Sequence, residues 1–203
     1  MNVQTDQIPT TSDDAVLLEE TAAEPSKLWG IAREIIETIL LAAVIWLAVN
    51  FATARYVVDG QSMQPNLHTG QFLIVSRLAY KFGTPQRGDI IVFDFPGNPA
   101  DDYVKRIIGL PGDTVTIQEG QIFVNDNRLE EPYLPDERMM PFQGRWVVPQ
   151  DSYFVLGDNR AHSSDSRSWG MLPQDAIIGK AWLSYWPPQN WGAIPHYDYA
   201  ISP

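Results

Sequence analysis

The feature that most limits what this chain can become is the run Thr38 to Ala54, which carries no charge and is almost solidly apolar from Ile39 to Val49. Such a run sits at the lower limit for crossing a hydrocarbon core about 30 Å thick. Ile35, Ile36, Tyr56 and Val57 extend it if Glu37 and Arg55 lie at the two interfaces. Residues 35–57 are therefore predicted to form a single transmembrane helix, with a buried core helix or a processed apolar segment as the alternatives. Ala52-Thr53-Ala54 has the small-x-small form of a signal-peptide cleavage site, which keeps processing open. Lys27 and Arg33 precede the span and Arg55 follows it, so the positive-inside tendency puts the N-terminus in the cytosol.

Either side of this segment the composition changes. Residues 1–26 are rich in Thr, Ser, Asp, Glu, Ala and Pro, too poor in large apolar side chains to offset the entropy of ordering, and are predicted to be a disordered acidic cytosolic tail. After the span about 150 residues remain, enough for one domain with a real core. The formal charge of -11 excludes a nucleic-acid surface, which needs clustered Lys and Arg against phosphates. There is no cysteine, hence no disulfide or thiolate metal site, and the three histidines show no metal-ligand spacing.

The pattern beyond the membrane is extended. Gln71–Ser76, Asp89–Phe95, Tyr103–Leu110, Thr114–Glu119, Gln121–Asn125, Trp146–Val148, Tyr153–Leu156 and Ile177–Tyr185 are short runs rich in Val, Ile, Phe and Tyr, separated by Gly, Pro, Asp and Asn turns. The fold class predicted is mostly β: an antiparallel β-sheet domain over 58–186 behind one N-terminal transmembrane helix. Gln118-Glu119-Gly120-Gln121 reads as a hairpin turn. Prolines and charges between Glu130 and Pro149 suggest a cap-like insertion, about 128–149, and 187–203 reads as a C-terminal tail that lies over the domain or the bilayer.

Two positions carry candidate chemistry. Ser62, between Gly60 and the Met63-Gln64-Pro65 turn, sits on an irregular bend that can present a hydroxyl, although a turn serine bonded to its own backbone fits the same residues. A serine nucleophile needs a base within hydrogen-bond reach, and no histidine here sits in a recognisable motif. A lysine can serve if burial disfavours its ammonium form. In the run Tyr103 to Leu110, alternation puts Lys105 with Tyr103 and Ile107, and Arg106 with Val104 and Ile108. Both faces are apolar, so periodicity leaves open which cation is buried. Only lysine can work as a base.

Four segments, Gly60–Leu67, Gly88–Phe93, Tyr103–Asp113 and Gly157–Arg167, closely resemble in order and spacing the boxes of type I signal peptidases, membrane-bound Ser/Lys proteases. The resemblance runs from the membrane segment to about Trp186. It implies Ser62 as nucleophile, Lys105 as general base, Ser163 as the hydroxyl that orients the lysine, and Asp165 with Arg167 as a structural ion pair. Val58, Leu73 and Val104 align near shallow apolar subsites that admit small residues. Gly60 stands where some members carry a serine as second oxyanion donor, and Asn66 replaces a common threonine, a change expected to matter little. The substrates implied are preproteins with signal peptides, in contact with membrane lipid and with no cofactor or metal. The domain would lie on the extracytoplasmic side of a bacterial plasma membrane, or of a thylakoid membrane. Self-cleavage at Ala54 follows as an expectation. The competing readings are a catalytically silent, membrane-tethered β-domain and a self-cleaving Ser/Lys repressor, the latter disfavoured by the membrane span.

Overall fold

The computed structural model describes residues 25–135, 142–197 and 199. The expected tail, residues 1–26, falls outside this set except for Pro25 and Ser26, which open the first helix. The chain divides into two compact units between Ala48 and Val49.

Helix α1 spans Pro25–Ala52. Leu28, Ile35, Leu40, Val44 and Leu47 are all exposed, and its most apolar window buries nothing within the protein. Long and apolar enough to cross a membrane over Lys27–Ala52, and not buried by any of the described residues, α1 is suited to a hydrocarbon solvent and supports single-pass membrane anchoring. It ends five residues earlier than the predicted limit at Val57. Thr53–Val57 is instead strand β1, paired with β2 (Phe72–Ser76) from Thr53↔Ser76 to Val57↔Phe72. An uncharged run does not reveal where helix yields to strand, and here pairing with β2 decides it.

The second unit is built on antiparallel strands. After β1 and β2 come a short helix α2 (Ala79–Phe82), β3 (Ile90–Phe95), β4 (Asn98–Gly109), β5 (Thr114–Gln118), β6 (Gln121–Val124), β7 (Asn127–Arg128) and β8 (Gly144–Val147). Then follow β9 (Ser152–Leu156), helix α3 (Ser166–Trp169), β10 (Leu172–Pro173), β11 (Ile177–Trp186) and β12 (Gly192–Ala193). One sheet runs β1-β2-β11-β3-β4-β9-β10, with β12 on β11, and a smaller one runs β7-β6-β5-β8. Each apolar run read from the sequence lies on one of these strands, and the mostly β expectation holds. β4 begins five residues before Tyr103 because Asn98–Asp102, though exposed and polar, continues the hairpin with β3. Glu119 and Gly120 both adopt positive φ, the form that a two-residue hairpin between β5 and β6 requires.

Alternation on β3 divides the core. Ile90 and Val92 join Val58, Met63, Leu67, Leu73, Val75 and Ala181, whereas Ile91 and Phe93 join Ile107, Tyr153, Val155 and Leu172. A third cluster, including Ile108, Val115, Ile122 and Phe154, joins the smaller sheet to β4 and β9. The stretch expected as a cap is tied into the fold at both described ends: β8 pairs with β5, and Leu129, Glu131, Tyr133 and Leu134 are buried. Its residues 136–141 lie outside the described set. The described part of the C-terminal tail folds back on the domain. β12 pairs with β11, His196 Nδ1 lies 3.3 Å from Asp89 Oδ1, and the Tyr199 hydroxyl donates to that of Tyr133 at 2.8 Å.

Candidate active site

The loop between β1 and β2 is shaped by its two buried apolar residues. Met63 and Leu67, at 1% and 3% exposure, anchor it in the core, and hydrogen bonds from Leu67 N–H to Met63 O (2.8 Å) and Gln64 N–H to Gln61 O (3.1 Å) curl it. Met63 is thus a core residue. Asn159 fixes the bend from the other side, its N–H donating to Ser62 O at 2.9 Å and its Nδ2 to Gln61 O at 3.2 Å. Gly60 takes φ 91°, a conformation open to glycine and costly for a serine in its place. Gly157 is needed for a different reason: a Cβ there would collide with the Ser62 carbonyl and the Ser163 side chain.

Strand β4 brings the lysine to this bend. Lys105 is 4% exposed, opposite the fully buried Ile91 of β3, and its Nζ lies 2.9 Å from Ser62 Oγ and 3.0 Å from Val104 O. No carboxylate pairs with it among the described residues, and the Tyr103 ring lies 5.1 Å from Nζ. Burial pulls the ammonium down from 10.5 to about 8, against the opposing attraction of Asp165 and then Asp158. That attraction is blunted because each carboxylate is already engaged by an arginine.

Arg106, the cation whose burial the sequence left open, is buried as well, at 1% exposure on the opposite face of β4. Its guanidinium grips Asp158 through two bonds of 2.8 and 2.7 Å and donates to Gly88 O at 3.0 Å. Asp165 and Arg167 form the expected ion pair, at 2.7 and 2.8 Å, and Asp165 also accepts from Gly157 N–H at 3.1 Å. Arg160 is held by Glu131 at 2.6 and 3.2 Å and donates to Gly157 O at 2.9 Å. Three buried ion pairs therefore surround the turn that carries Ser163.

One expected contact is not seen. Ser163 Oγ is buried yet makes no hydrogen bond, and the partners of Lys105 Nζ are Ser62 and Val104, so the contact by which Ser163 would orient the amine is not formed in this structure. Asn66, in the position where the family commonly has threonine, donates from Nδ2 to Asp158 Oδ2 at 2.8 Å and to Tyr133 O at 3.3 Å, tying the Ser62 loop to the ion-pair network. Nothing near Asn66 in the sequence marks this, since both partners are remote. Glu131 escapes a reading of the sequence for the same reason.

A cleft of ≈ 560 Å³ opens over Ser62 and Lys105, and Val58, Leu73 and Val104 all line it, as do Tyr56 and Ser164. Asp101 and Asp102 make part of its wall acidic; burial, then Asp94 and Asp101, push the Asp102 carboxyl above the usual range. Among the described residues the Ser62 N–H donates to no acceptor, which leaves it available to an oxygen bound beside the hydroxyl. A buried amine next to a hydroxyl, with a free N–H and an apolar floor, is an arrangement suited to acyl transfer.

The signal peptidase, peptidase S26 family profile matches residues 32–186. A signal peptidase I of Leptolyngbya laminosa is 40% identical over 187 residues, covering 86% of this chain and 90% of that protein. A signal peptidase I of Bacillus caldolyticus is 38% identical over 172 residues, covering 78% and 88%. A crystal structure of a signal peptidase I from Enterococcus faecalis V583 aligns at 35% identity and a TM-score of 0.43, over 47% of this chain and 95% of that one. With most of its length matched by the profile and by the first two relatives, the chain belongs to the signal peptidase family, peptidase S26.

Proposed function

We propose that this protein is a membrane-anchored serine endopeptidase that removes signal peptides from preproteins after small-x-small sites, with Ser62 as nucleophile and Lys105 as general base. The observation that carries the reading is Lys105, a residue 4% exposed whose amine has no carboxylate partner among the described residues and lies 2.9 Å from Ser62 Oγ. In its neutral form the amine accepts the Ser62 proton as Oγ attacks the scissile carbonyl. The tetrahedral oxyanion accepts from the Ser62 N–H; Gly60 offers no side-chain donor. The lysine then protonates the leaving amine of the mature protein, and the acyl-enzyme ester is hydrolysed by a water that the same amine deprotonates. Val58, Leu73 and Val104 line the cleft where small side chains before the cut would rest.

Residues 58–186 form the catalytic domain in this reading, and it lies on the extracytoplasmic side with the N-terminus in the cytosol. Anchoring confines the search for a substrate that is itself threaded through the membrane. Ala54, the expected self-cleavage position, is paired with Val75 in the β1-β2 ladder, so self-processing would require that ladder to open. The test is cleavage of a preprotein with a small-x-small site by purified protein in detergent. Ser62→Ala and Lys105→Ala each lower kcat on the order of 10⁴-fold or more; full activity in Lys105→Ala would overturn the assignment of the base.

A further inference from the structure

A second cavity, of ≈ 390 Å³, shares no lining residue with the Ser62 cleft and is walled by Phe51, Arg77, Tyr80, Lys81, Asp175 and Ile178 among others. Its depth follows from the chain. Phe51 is in the last turn of α1, Lys81 Nζ lies 5.4 Å from the Phe51 ring centre, and the Arg77 N–H donates to Ala52 O at 2.9 Å. Groups packed on the final residues of a membrane-spanning helix lie at the level of lipid headgroups.

The chemistry of the cavity matches that level. In a chain of formal charge -11, Arg77 and Lys81 are both exposed and neither makes an ion pair among the described residues. Phe82, on α2, is 87% exposed and Phe51 66%, a cost in water that acyl chains would remove. Cations flanked by exposed aromatic rings are the pattern of an interfacial lipid contact. Asp175, the carboxylate in the wall, disfavours a doubly charged phosphate and suits a singly charged phosphodiester.

We propose that this cavity holds the headgroup of an anionic phospholipid, its phosphodiester between Arg77 and Lys81 and its acyl chains against Phe51 and Phe82. The site rests on α1 as a membrane anchor and is independent of the Ser62 and Lys105 chemistry.

The test uses the full chain in nanodiscs of equal phosphatidylglycerol and phosphatidylcholine, followed by native mass spectrometry of the lipid it retains. At about fivefold per cation, the protein retains phosphatidylglycerol over phosphatidylcholine by roughly 25-fold, and Arg77→Gln/Lys81→Gln brings the ratio near one. Arg128→Gln/Arg145→Gln, which removes two exposed cations of the smaller sheet, keeps the preference. Equal retention of both lipids by the unaltered protein, or a preference that survives in the first double variant, overturns the proposal. Displacement of the lipid by millimolar inorganic phosphate overturns the lipid as occupant. Ser62→Ala retains the lipid, so loss of the catalytic reading and loss of this one are separately visible.

Discussion

A lysine with 4% exposure and no carboxylate partner among the described residues is costly to fold, and in the proposed mechanism that cost is what makes its amine a base. Two consequences follow from the shift to about 8. The neutral amine is the reactive form, so kcat/KM for a soluble peptide rises with pH through an apparent value near 8; a profile flat from pH 6 to 9 would contradict the role. For stability, the unfolded chain binds the proton more tightly than the folded one, so the penalty is complete below pH 8 and fades as pH rises toward 10.5. Lys105→Met removes the penalty. It is expected to be inactive yet about 1 to 3 kcal/mol more stable at pH 7 by urea denaturation, with a smaller gain at pH 10.

At the scale of the element, β4 presents two neighbouring cations to opposite faces and treats them differently. Arg106 is satisfied by Asp158 and Gly88 O, whereas Lys105 meets a hydroxyl and one carbonyl. Asp158→Asn leaves the Arg106 guanidinium buried without its counter-charge and weakens the Asn66 tether to the Ser62 loop. The expected loss is about 3 to 5 kcal/mol in urea denaturation, and an unchanged midpoint would show that the pair carries no stability. The faces of β4 were legible in the sequence, because alternation over Tyr103 to Ile108 needs only local spacing. The fate of the charges was not: Asp158 is remote in sequence, and a strand pattern says nothing about its distant partners. The short strands β7, β10 and β12 escaped for a related reason, being defined by pairing and not by an apolar run.

For the whole molecule, the anchor and the acidic domain set where the reaction takes place. If the N-terminus is cytosolic, an N-terminal epitope in intact spheroplasts resists protease added outside, and an epitope after Pro203 is lost. The reverse pattern would invert the proposed orientation. The described C-terminal segment adds a constraint that the apolar pattern does not carry. Tyr197 and Tyr199 pack against Tyr133, whose ring lies 4.0 Å from the Arg106 guanidinium, so residues beyond the family match at Trp186 buttress the ion pairs near the site.

The sequence by itself determined the membrane helix, the β character of the rest and the residue types able to do the chemistry, because charge-free length, alternation and side-chain acidity are local properties. Only the tertiary structure decided that α1 stops at Ala52, that both cations of β4 are buried, that Asn66 braces the Ser62 loop and that Ser163 leaves the amine alone. Each of those depends on which distant groups share a dry interior, where pairing and desolvation are settled by three-dimensional neighbours and not by spacing along the chain.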